Sequence, residues 1–255
     1  MESITNEKLE EWKKIQNEMA KKINEKDRIE VDKIKYILSI YLFICSDDET
    51  KGAVSYVITD YKDGLYGNTV KSHTIEVENT IPYMTGFLGF REVIFYKQAY
   101  DHACENFCKP DIIVINSFGK FHDRMAGSAL HLALDLDMPV IGIGRSVICF
   151  DGLSDNLIRK QFKKECKESG DFLYIKGQTG TLYGAAVKTS NESKNPLYVS
   201  VGSYISLDTC VEIIVNISKH RFPEPMRKAE TLAKNLIYIL RENAKDQVDI
   251  KDDIK

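Results

Sequence analysis

An α/β fold, a mixed β-sheet flanked by helices, is what this sequence predicts, and three features predict it. Between residues 36 and 77, apolar and β-branched runs follow one another across short polar turns, the pattern of an antiparallel meander. Residues 111–144 read DIIVIN, AGSALHLALDL and PVIGIG in turn, a strand–helix–strand unit that normally makes a right-handed parallel crossover. Stretches with apolar residues three or four apart lie before and after these strands and supply the covering helices.

The elements follow in order. EKLEEWKKIQNEMAKKINEKDRIE, 7–30, reads as an amphipathic helix with Leu9, Trp12, Ile15, Met19 and Ile23 on one side. YILSIYLFIC, 36–45, suits a central strand, and GAVSYVIT and NTVKSHTIEV follow after the turns SDDETKG and YKDG. A Pro- and Gly-marked segment, IPYMTGFLGF, opens a helix that runs past Tyr100, and the strand–helix–strand unit comes next. TLYGAAVKT and PLYVSVGSYIS pair across SNESKN, and SLDTCVEIIVNISKH is a helix with Ser206 as its N-cap. A last helix is expected from about Pro225 to Arg241. One domain is expected: residues 1–35 as a helix packed outside, 36–241 as the domain proper, and 242–255 as a charged, mobile tail.

The composition, with 43% hydrophobic and 29% charged residues, is that of an ordinary globular protein. No run approaches the roughly 18 apolar residues of a membrane span, and the acidic N-terminus lacks an apolar signal core, so no membrane partner and an intracellular location, nucleus or cytoplasm, are expected. Net charge is -3, so nucleic-acid binding requires a local basic patch. The six cysteines form no CxxC pair, and Cys104 and Cys108, four apart, have no partner pair at zinc spacing. GIGR, 142–145, ends a strand and is too short for a dinucleotide fingerprint.

The order of a meander followed by parallel units is that of a ribonuclease H-like domain. PYMTGFLGFRE, PDIIVINSFGKFHDRMAGSALHLALDLDMPVIGIGR, PLYVSVGSYISLDT and HRFPEPMRKAETLA go further, for together they resemble endonuclease V from about Glu11 to Leu236. That family is directed at deoxyinosine in DNA and, in animals, at inosine in RNA. The resemblance implies strand-borne carboxylates that hold magnesium, align a water and neutralise charge on phosphorus oxygens.

This chain departs from that pattern at several positions. The first family aspartate falls on Tyr41, and Asp47 and Asp48 lie roughly 20 Å farther along an extended strand. The second falls on Asn116, which keeps the shape of a carboxylate without its charge. The family lysine is Arg145, and a family histidine is Ser203. Glu92 and His122 are retained as the catalytic candidates, and Asp111 is retained where it can also cap a strand. No cofactor is expected; magnesium, if residual activity survives, would rest on Glu92.

Less has changed in the implied binding surface. Pro82, Tyr83, Met84, Thr85 and Gly86 match a family wedge that separates strands beside the altered base, and an exposed Tyr83 would stack on a base. Gly119 matches a glycine that lets backbone approach a flipped base, although its neighbour is Ser117. Arg91, Lys120, Arg124, Arg145, Lys219 and Arg221 are the candidate phosphate contacts. The expected function is that of an endonuclease V-like pseudoenzyme that binds DNA or RNA or joins a protein complex. The alternatives are an active magnesium-dependent endonuclease cutting near inosine, and a protein-interaction scaffold with no nucleic-acid role.

Overall fold

The computed structural model describes residues 4–62 and 65–252, with side chains as far as residue 243. Eight strands form one sheet: β1 Tyr36–Ile44, β2 Lys51–Lys62, β3 Leu65–Glu78, β4 Ile112–Ile115, β5 Val140–Gly144, β6 Phe172–Lys176, β7 Leu182–Val187 and β8 Leu197–Ser203. The six α-helices of the described residues are α1 Asn6–Ala20, α2 Leu88–Asn106, α3 Ser128–Leu136, α4 Asp155–Glu165, α5 Leu207–Asn216 and α6 Glu224–Asp252.

The strand order is β3-β2-β1-β4-β5-β8-β7-β6. The meander β1–β2–β3 is antiparallel, β1, β4 and β5 run parallel, and β8 returns antiparallel beside β5. This is the ribonuclease H-like mixed sheet that the sequence predicts. Side-chain alternation along β1 divides the core: Ile37 and Tyr41 face α5 and α6, whereas Leu38, Ile40 and Leu42 face α2 and α3. A third cluster joins Ile158 and Phe162 of α4 to Ile175 of β6; both elements are absent from the sequence reading, α4 because its apolar residues are few and β6, FLYIK, because it is short.

Two boundaries differ from expectation. The first helix stops at Ala20 instead of running to residue 30, because the following loop is held by tertiary contacts. Tyr204 N–H donates to the Asn24 carbonyl, Arg28 N–H to that of Tyr204, and Asp27 accepts from the Ser206 N–H and hydroxyl. The last helix continues to Asp252, beyond the expected end at Arg241. Good helix formers in ENAKDQ allow the extension. Residues 253–255 of the expected tail lie outside the described residues. No described helix is long and apolar enough to cross a membrane.

Candidate nucleic-acid interface

Parallel pairing brings the C-terminal ends of β1, β4 and β5 to one edge, the place where open α/β sheets present their sites. Ile40 pairs with Ile115 and Ile115 with Gly142, so Tyr41, Asn116 and Arg145 all belong to this edge. Ser203 does not. It pairs with Val140, at the start of β5, roughly 13 Å from the other end of that strand. Its fully buried hydroxyl accepts from the Asn24 N–H at 3.0 Å.

Asn116 is held through its amide. Its Oδ1 accepts from the Leu42 N–H at 2.9 Å and from the Tyr96 hydroxyl at 3.2 Å, while Nδ2 donates to the Leu42 carbonyl at 3.1 Å. Turning the amide over would set N–H against N–H and oxygen against oxygen, so the orientation follows from the partners. Beside it, the Ser117 hydroxyl donates to Ser128 Oγ at 2.9 Å, and Ser128 donates to Glu92 Oε2 at 2.8 Å. Burial raises the Glu92 carboxyl above its ordinary value against the lowering effect of these serines.

A carboxylate that sequence reasoning missed completes the edge. Glu230 of α6 takes Arg145 Nη2 at 2.5 Å and Nη1 at 3.3 Å, Lys234 Nζ at 2.7 Å and the Tyr41 hydroxyl at 3.3 Å. Burial pushes the Glu230 carboxyl up, but the bonds from Arg145 and Lys234 outweigh it and hold it below its usual range. Tyr41 is 8% exposed and meets the Phe222 ring edge-on. Glu230 lies in the segment HRFPEPMRKAETLA, but its contacts with Arg145 and Tyr41, 85 and 189 residues away, place it at the edge, and no local pattern encodes them.

These donors do not fit magnesium. That ion needs octahedral oxygen ligands and carboxylate charge. Here the amide oxygen is already bonded to two donors, Tyr41 offers a neutral phenol, and Glu230 is paired with two cations. Among the described residues no group of three or more His, Cys, Asp or Glu side chains is placed to hold a metal.

Next to the edge is a cavity of about 220 Å³, lined by Thr85, Gly86, Phe118, His122, Ser128 and Phe150 among others. Thr85 and Gly86 bring the 82–86 segment to its rim. Tyr83 is 52% exposed, and its N–H donates to Glu49 Oε2 at 3.0 Å. Buried Arg91 reaches the same carboxylate at 3.3 Å. Gly86 has a φ of +81°, and its carbonyl accepts from Gln16 Nε2 at 2.9 Å, His122 Nε2 at 3.0 Å and Arg124 Nη2 at 2.7 Å.

Several expected ligand contacts therefore have internal work. Arg124 also donates to Gln16 Oε1 and Asp123 Oδ2, both at 2.6 Å, and is not a free phosphate contact. His122 is partly buried and braces the wedge, with Nδ1 accepting from the Arg124 N–H at 3.1 Å. Gly119 does not line the cavity; a Cβ there would lie 2.2 Å from the Val201 carbonyl oxygen, so the glycine allows the loop to approach β8. Lys120 is paired with Glu25 at 2.5 Å. Asp111 accepts from the N–H groups of Lys35 and Tyr36, capping β1.

The family model described as Endonuclease V matches residues 17–231. Human endonuclease V is 30% identical over 192 residues, covering 74% of this chain and 67% of the human protein. Endonuclease V of Dictyoglomus turgidum is 33% identical over 233 residues, with 89% of this chain and 90% of that protein covered. Among solved structures, a Ciona intestinalis endonuclease V variant in complex with a 23mer DNA containing an inosine followed by a ribo-adenosine superimposes with a TM-score of 0.85. Its identity to this chain is 26%, over 93% of this chain and 100% of that one. With the family model matched from the first helix to α6 and the same sheet beneath it, this chain belongs to the endonuclease V family.

Proposed function

We propose that this protein binds single-stranded or locally opened nucleic acid across the wedge and cavity, with metal-dependent cleavage lost. The observation that carries this reading is the contrast between the two halves of the interface. Tyr83 stands out on a braced loop beside an aromatic-walled cavity, the combination that stacks and accepts a base. At the sheet edge, by comparison, Asn116 and Tyr41 supply no charge where the family resemblance implies carboxylates. The inosine-containing DNA bound by the Ciona relative makes such DNA, and the corresponding RNA, the first ligands to test.

An active divalent-dependent endonuclease is the second reading. Family membership favours it, as does the survival of two carboxylates, Glu92 and Glu230, at the edge. One experiment separates the two. Purified protein is incubated with inosine-containing single-stranded DNA and RNA in Mg²⁺ or Mn²⁺, with binding followed by fluorescence anisotropy. Complex formation with intact strands supports the first reading; cutting beyond inosine that disappears in Glu92→Ala establishes the second.

A further inference from the structure

The edge that does not suit a divalent ion is nevertheless rich in positive charge. Arg145 and Lys234, from β5's end and from α6, share the single carboxylate of Glu230. Arg221 adds a third cation. Its guanidinium donates to the carbonyl oxygen of Arg145 at 2.7 Å and to that of Pro196 at 2.7 and 3.0 Å. Neutral oxygens hold that group in place without cancelling its charge. Burial, and after it the charges of Arg159 and Arg145, lower the Arg221 pKa, as expected of a cation short of counter-charge. Arg159 adds nothing to the excess, because Asp155 pairs with it at 2.5 Å.

Two of the three cations are well exposed, and Arg221 is partly buried. The Arg145 side chain is 44% exposed and that of Lys234 50%. The Arg145 guanidinium lies 4.0 Å from the centre of the Phe222 ring, which backs one face, while Nη1 and Nη2 each give one bond to Glu230 and keep further N–H donors. The cluster adjoins the cavity directly: a Cβ on Gly144, the residue before Arg145, would lie 2.3 Å from the Phe118 ring that forms part of the cavity wall.

We infer that Arg145, Lys234 and Arg221 form a resident phosphodiester site, in which the chain's own cations supply the positive charge that a divalent ion would otherwise bring to the strand. Glu230 keeps Arg145 extended in the free protein, and an arriving phosphate takes up guanidinium and ammonium donors that the carboxylate leaves unsatisfied. The inference rests on the nucleic-acid-binding reading above and specifies how the backbone is held. Its immediate consequence is binding that needs no metal.

The test is anisotropy with a fluorescein-labelled, inosine-containing single-stranded DNA, in EDTA and in Mg²⁺, over a range of salt. The wild type is expected to bind equally in both, within about twofold, while Arg145→Gln and Lys234→Gln each weaken binding about tenfold and lower the salt slope by about one. Arg145→Lys, which keeps the charge, retains most of the affinity, and thermal melts show that the variants are folded. Tyr83→Ala weakens binding with the salt slope unchanged. Inorganic phosphate at matched ionic strength leaves the complex intact; displacement by low phosphate would show that a free anion is the ligand instead. Binding that appears only with Mg²⁺, or that is unaffected in both glutamine variants, overturns this inference alone. Failure of the wild type to bind in either buffer sinks the nucleic-acid reading as well.

Discussion

The side-chain amide of Asn116 holds Leu42 by both of its backbone groups, accepting from the N–H at 2.9 Å and donating to the carbonyl at 3.1 Å. The contact continues the β1–β4 ladder one step past its last pair, Ile40 with Ile115. A carboxylate can make only the first of the two bonds. It would set an anion against the Leu42 carbonyl, so the asparagine fits this position structurally.

Asn116→Asp is therefore expected to destabilise the protein by about 1–3 kcal/mol, the cost of a lost hydrogen bond and a poorly paired charge. The melting temperature at neutral pH falls by several degrees and recovers in acid as the new carboxyl takes up a proton. An unchanged melting curve would mean that the Leu42 carbonyl does not need the amide.

Arg124 offers a contrast between bracing and binding. Its guanidinium joins α1, through Gln16, to the wedge glycine and to Asp123. Arg124→Met should increase hydrogen exchange in α1 and in residues 82–87, and weaken nucleic-acid binding through disorder of the wedge. The salt slope should not change, because no phosphate contact is removed. A slope lower by about one would return Arg124 to the phosphate-binding set.

These two residues show how far the sequence could be read. The meander, the crossover and the Ser206 cap follow from local alternation and turn chemistry, and the structure has all three. The edge positions Tyr41, Asn116 and Arg145 are legible only through the family resemblance, and the parallel strands bring them to one edge. What cannot be read locally is which polar groups are already taken. The three donors on the Gly86 carbonyl come from two separate segments, α1 and the 122–124 loop, and the carboxylate that pairs with Arg145 lies on a helix 85 residues away. Charge in a sequence is visible; its cancellation depends on packing. Ser203 illustrates the same limit, because antiparallel return of β8 carries it to the far end of the sheet.

Tyr83 gives a prediction about function with little effect on stability. Its ring is half exposed and its N–H, not its side chain, is tied to Glu49. Tyr83→Ala should cost about 1–3 kcal/mol of binding, the usual contribution of one base–aromatic stack. The melting temperature should stay within a degree or so of the wild type, since an exposed side chain is removed. Anisotropy and a thermal melt check both parts. Loss of stability comparable to the loss of binding would place the ring in the core instead.

The burial of Glu92 predicts how stability varies with pH. Enclosure beside Ser117 and Ser128 raises its carboxyl above the ordinary value of 4.5, so the native state binds this proton more tightly than the unfolded chain does. The native state consequently loses stability as pH rises from 4.5 through the higher folded value, and the penalty is complete above it. Glu92→Gln keeps an acceptor for the Ser128 hydroxyl and removes the ionisation. Its stability relative to wild type should rise as the pH climbs above 4.5 and level off once the folded carboxyl is ionised, as seen by urea denaturation at a series of pH values. A difference independent of pH would show that Glu92 ionises freely in the folded protein. A difference of opposite slope would show that the carboxylate form is the one the site stabilises, as an acid held for a cation would be.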